Sequence, residues 1–130
     1  MITEDYVSFE VAKLLKEKGF VIPYDSFRGV YINGIFKRLN PGDGYGCNLE
    51  DEIVDVCSLQ LAMKWLREVH DLHIIAYPWK ADREERASHW CCKIYKSFNH
   101  LGYEKYTDET PKSYEEACET AIRYSLKNLI

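Results

Sequence analysis

The chain has 130 residues, of which 46% are hydrophobic, 29% charged and 14% aromatic, and 17 Lys and Arg against 21 Asp and Glu give a net charge of −4. That length suits one domain able to bury a core without metal or disulfide staples, and the composition excludes a disordered tail or a low-complexity repeat. No apolar run approaches the roughly 20 residues that cross a bilayer, and the acidic balance argues against a dedicated duplex-DNA binder, whose affinity rests on neutralising phosphates.

The opening Met-Ile-Thr-Glu-Asp-Tyr has neither a basic n-region nor an apolar h-region. No export signal is expected, and the cytoplasm is the expected compartment. The first helix is predicted from Phe9 to Lys18. Ser8 is its N-cap, Val11, Ala12, Leu14 and Leu15 its apolar stripe, and Gly19 its stop, with Phe20 folding back near Leu15. Asn33-Gly34 between two apolar runs is a hairpin signal, because a type I′ turn needs positive φ at both central residues. It pairs Ile32 with Ile35 and Tyr31 with Phe36.

Residues 40–57 are expected to form an exposed loop. Asn40-Pro41-Gly42-Asp43-Gly44-Tyr45-Gly46 is rich in turn residues. The acidic segment from Leu49 to Val56 reads either as a short edge strand or as an irregular lead-in. No Lys or Arg lies between Arg38 and Lys64, whereas Asp43, Glu50, Asp51, Glu52 and Asp55 all do. That stretch repels nucleic acid and anionic lipid.

A second helix is predicted from Leu59 to His70, with Ser58 as its cap. Leu59, Ala62, Met63, Leu66, Val69 and His70 form its stripe, widened by Leu61 and Trp65. Strands follow at Leu72–Trp79 and Trp90–Phe98, antiparallel and joined by the charged segment 80–88. In the second, Trp90, Cys92, Ile94 and Phe98 alternate against His89, Cys91, Lys93 and Tyr95, one set for the core and one for water. A third strand is predicted at Tyr103–Thr107. The last helix runs from Tyr114 to Asn128 behind a Ser113–Glu116 capping box, burying Ala117, Cys118, Ala121, Ile122, Leu126 and Leu129. The expected architecture is a single α+β domain, an antiparallel sheet packed on one face by three helices, in the order α-β-β-α-β-β-β-α.

Three stretches resemble a known family: Tyr6-Val-Ser-Phe-Glu-Val-Ala-Lys-Leu-Leu-Lys-Glu-Lys-Gly-Phe20, Ser58-Leu-Gln-Leu-Ala-Met-Lys-Trp-Leu-Arg-Glu-Val-His70 with the strand after it, and the ending from Ser113 to Ile130. Together they cover about half of the chain and are similar to short uncharacterised proteins encoded by gut bacteria and their phages or mobile elements. Segment 24–57 matches poorly. These stretches are helix caps and core stripes, and the family has no established activity, so no residue inherits a role. The resemblance implies a setting in which small regulators, inhibitors and adaptors are common.

Five cysteines without a signal peptide point to reduced thiols. His89, Cys91, Cys92 and His100 lack metal-ligand spacing, so no metal or cofactor is expected. Gly42, Gly44 and Gly46 are not followed by a phosphate-loop motif. The carboxylate pairs Asp51–Glu52 and Glu115–Glu116 read as solvated features, the second favoured by a helix start. Cys91 between His89 and Lys93 is the one arrangement a thiol enzyme would use, and a thiol- or metal-dependent enzyme centred on it is the least favoured reading. Interleaved cations and aromatics around the late hairpin single out Tyr77, Trp79, Arg83, Arg86, Lys93 and Tyr95 as a surface for a protein partner, in the aromatic and Arg chemistry of binding hot spots. Single-stranded nucleic acid on Tyr77, Trp79, Arg83, Arg86 and Lys96 is the alternative. The expectation is a non-enzymatic interaction protein, with no membrane association and with a homodimer through the exposed sheet face or its edge strand.

Overall fold

In a computed structural model, which describes residues 5–40, 44, 46, 50–79, 89–96 and 111–130, the chain divides into two units, Met1–Ser58 and Leu59–Ile130. The first unit begins with helix α1 (Phe9–Glu17). The Ser8 hydroxyl accepts the Val11 N–H at 3.3 Å, giving one of the helix's first free donors a partner. At the other end Phe20 N–H donates to the Leu15 carbonyl and Gly19 N–H to that of Lys16, with Gly19 at φ +89°. This is the Schellman closure expected from the sequence.

The hairpin signal also holds. Strands β1 (Gly29–Ile32) and β2 (Ile35–Arg38) pair with Tyr31 opposite Phe36 and Ile32 opposite Ile35. Asn33 (φ +50°) and Gly34 (φ +82°) make the turn between them. Within the loop expected over 40–57, a third strand forms instead from Ile53 to Val56, β3, with Val54 and Val56 buried. It pairs antiparallel with β1, giving the order β2-β1-β3 and making β3 the edge strand that was one of the two readings. Local sequence leaves it open because the strand is only four residues long and the apolar Ile53, on the same side as Asp55, blurs the alternation that Val54, Asp55 and Val56 follow. The loop expectation also spans residues outside those described.

Asn33 ties the turn to the lead-in of β3. Its N–H donates to the Glu52 carbonyl at 2.8 Å, its Nδ2 donates to Asp51 Oδ1, and its Oδ1 accepts the Glu52 N–H, both at 2.9 Å. Helix α1 lies over the face of the sheet that carries Tyr31, where Phe9 meets Tyr31 edge-on at 5.5 Å and Tyr31 Oη donates to the Val7 carbonyl. Val7, Val11, Val30 and Val56 are fully buried, each contributing on the order of 1.5–3 kcal/mol by removal from water.

The second unit contains α2 (Leu59–His70), β4 (Leu72–Trp79), β5 (His89–Lys96) and α3 (Tyr114–Asn128). Strands β4 and β5 form a two-stranded antiparallel sheet, against which both helices pack. The α+β class and the antiparallel pairing are as expected. The strands divide between two sheets rather than one, and β3 precedes α2, so the described order is α-β-β-β-α-β-β-α. The strand predicted at Tyr103–Thr107 and the end of the one predicted to Phe98 lie outside the described residues. Val69, placed in the α2 stripe by its spacing, is 61% exposed, so the buried stripe is narrower: Leu59, Ala62, Met63 and Leu66. At α3 the Ser113 hydroxyl accepts the Glu116 N–H, and the Glu116 carboxylate accepts the N–H of Lys112, one residue ahead of the cap. No helix among the described residues is long and apolar enough to cross a membrane.

Candidate functional site

Residues directly opposite in an antiparallel pair share a face, so the β4–β5 register sorts the late hairpin. Leu72, Ile74 and Ala76 share one face with Ile94 and Cys92; of these Leu72, Ile94 and Cys92 are buried. His73 opposite Tyr95, Ile75 opposite Lys93, Tyr77 opposite Cys91, and Trp79 opposite His89 make the other face. The alternation read from the sequence of β5 is the one observed. Here side chains stay half-buried or exposed, with Ile75 49% and Trp79 45% accessible.

Four of the six singled-out residues, Tyr77, Trp79, Lys93 and Tyr95, therefore lie on one outward face. Arg83 and Arg86 lie outside the described residues. The Lys93 ammonium sits 5.4 Å from the centre of the Tyr77 ring, a cation–π arrangement that holds the Lys stem along the sheet. Trp79 stacks on His89. At the far end Asp71, the single residue linking α2 to β4, adopts φ +55°, and its carboxylate meets His73 Nε2 at 3.0 Å. Lys96 instead follows the alternation of Leu72 and Ile94. It does not share a face with Tyr77 and Trp79, so the set read for single-stranded nucleic acid is split.

Pro78 fits this strand because of its register. Its partner Trp90 turns its N–H away from β4, to the Pro111 carbonyl at 2.8 Å. Pro78 therefore stands at a non-bonded pair, where a missing N–H costs the ladder nothing. The Trp90 ring meets Tyr114 of α3 edge-on at 5.8 Å, and the Tyr114 hydroxyl accepts from Gln60 Nε2 at 3.1 Å.

Cys57, Cys91, Cys92 and Cys118 are free thiols. Cys91 is half-buried on the outward face, with His89 and Lys93 as its neighbours two residues away on the same strand. Burial pushes the Cys118 thiol above its ordinary pKa, against the lowering effect of its hydrogen bond with Tyr114. That keeps it protonated and weakly nucleophilic. Among the described residues no three His, Cys, Asp or Glu side chains converge as a metal site requires.

One feature of the first unit was not read from the sequence. Ala12, Leu15, Phe20, Val21 and Ile22 line a groove of about 370 Å³ beside β3. Its signal was the apolar run Phe20-Val21-Ile22 after the helix stop, of which only Phe20 had a structural role to play. Comparison with known protein families, with curated proteins and with solved structures finds no match.

Proposed function

We propose that this chain is a small non-enzymatic interaction or regulatory protein, of phage or mobile-element type, that binds a protein partner through the outward face of β4 and β5. The observation that carries the reading is the shared face of Tyr77, Trp79, Lys93 and Tyr95, alongside the half-exposed Ile75. Large, stiff aromatic rings with a cation among them are the composition of binding hot spots, which bury much area at little entropic cost. The separation of Lys96 from this face favours a protein over a nucleic-acid strand, whose phosphates need cations beside the stacking rings.

The test is affinity capture from host lysate at moderate salt, with and without nuclease, using the wild type, Trp79→Ala and Tyr95→Ala. A discrete protein retained by the wild type after nuclease, and lost with both variants, supports the reading. Equal retention by the variants rejects this surface. Retention that disappears with nuclease and falls steeply with salt assigns the face to single-stranded nucleic acid instead.

A further inference from the structure

We propose that the outer edge of β3 is a docking site for an extended peptide, which joins the sheet as an added strand beside the groove under α1. The bonding pattern fixes which groups face outward. Asn33 N–H donates to the Glu52 carbonyl, so the bonded pairs between β1 and β3 are those at Glu52, Val54 and Val56. Ile53 and Asp55 fall between them and turn their N–H and C=O groups away from β1.

This edge is closed at both ends and open in the middle. The Cys57 carbonyl accepts the Val7 N–H at 3.1 Å, but the chain leaves the edge at Ser8 to begin α1. The Ile53 carbonyl accepts the Lys16 ammonium at 3.4 Å. Between them the Asp55 N–H and C=O have no hydrogen-bond partner among the described residues. The groove begins there, walled by Ala12 and Leu15 of α1 and by Phe20–Ile22, with Val21 83% exposed.

The chemistry of the edge selects the occupant. A purely apolar ligand would fill the wall and leave the Asp55 amide and carbonyl dehydrated without partners. An extended peptide supplies an acceptor and a donor at the spacing Asp55 needs, and its alternate side chains enter the groove. A second copy of this edge is disfavoured, because an antiparallel pair centred on Asp55 sets two carboxylates opposite each other. A lysine opposite Asp55 reverses that term. Its two neighbours in the peptide then fall on the face over which α1 lies, so they are apolar. The fitting ligand is thus a strand with a basic residue between two β-branched ones.

The experiment titrates the full-length chain with the acetylated, amidated pentapeptide Thr-Val-Lys-Val-Thr and follows backbone amide resonances. Saturable shifts with slowed hydrogen exchange at the Asp55 amide are expected. Methylating the backbone nitrogen of the peptide's lysine removes the donor to the Asp55 carbonyl and weakens binding about tenfold, the effect of one lost hydrogen bond. Val21→Glu, at an exposed position that leaves the core intact, weakens binding as well, whereas Trp79→Ala leaves it unchanged. Equal affinity for the methylated peptide, or no saturable change at Asp55, overturns the proposal. Shifts at Asp55 that depend on protein concentration without peptide overturn it too, in favour of pairing between copies.

Discussion

Trp79 and His89 stack across the β4–β5 hairpin, with ring centroids 5.0 Å apart and planes 18° from parallel. They are directly opposite in the register, at the last pair of the ladder, on the face away from Leu72 and Ile94. The stack holds the Trp79 ring against the sheet while leaving 45% of the residue accessible. A ring placed in this way has contact area to offer and little rotamer freedom to lose.

Its substitution should therefore cost little stability. Trp79→Ala loses an exposed aromatic pair, about 0.5–1.5 kcal/mol, whereas Ile94→Ala opens a cavity at a fully buried site and costs about 2–5 kcal/mol. Urea unfolding of the two variants measures the difference. Equal losses would place Trp79 in the core and remove it from any binding surface.

The Asn33 bracket separates backbone conformation from hydrogen bonding. Asn33→Gly keeps the positive φ and loses the side-chain bonds to Asp51 and Glu52, at a cost of about 1–2 kcal/mol. Asn33→Ala loses the same bonds and also strains the left-handed position, so it should be less stable than Asn33→Gly by roughly another 1 kcal/mol. Equal stabilities would mean that the turn adjusts freely. Amide exchange at Glu52 should accelerate in both variants.

Which parts of this architecture the sequence revealed follows from where the determinants lie. Local chemistry bounds α1, through Ser8 and Gly19, and starts α3, through Ser113 and Glu116, and all three helices fall within a residue of the expected bounds. The Asn33-Gly34 turn is equally local. The alternation of β5 identified the outward face correctly, since the period of a strand fixes which side chains share a side. Strand β3 was ambiguous because its pairing with β1 depends on Asn33, about twenty residues earlier in the chain. The division into two sheets is likewise a property of pairing between distant segments, which no window of sequence contains. The groove beside β3 escaped notice because residues 20–22 and 53–57 meet only in the fold.

Cys118 gives the stability a defined pH dependence. Burial raises its folded-state pKa above the unfolded value, so the folded chain holds the thiol proton where the unfolded chain has released it. That contribution is fully present below the ordinary thiol pKa and declines as pH rises from there towards the raised folded value. Melting temperature should fall between neutral pH and pH of about 10, and fall less steeply in Cys118→Ala. Identical slopes for variant and wild type would show that the thiol proton does not contribute. Native Cys118 should also alkylate far more slowly than the same residue in denaturant.

His70 closes α2 with a buried Nε2 that has no hydrogen-bond partner among the described residues, while its ring meets Trp65 edge-on at 4.7 Å. The two features oppose each other. The ring contact is favourable, whereas an unsatisfied buried nitrogen costs about 1–3 kcal/mol. His70→Phe keeps an aromatic ring beside Trp65 and removes the orphaned atom, so it should raise the melting temperature by about 3–6 °C. His70→Ala removes both features and leaves a cavity, which should lower it. The pair of variants separates packing from polar satisfaction at one position. If His70→Phe melts below the wild type, fitting the larger ring costs more than the orphaned nitrogen does.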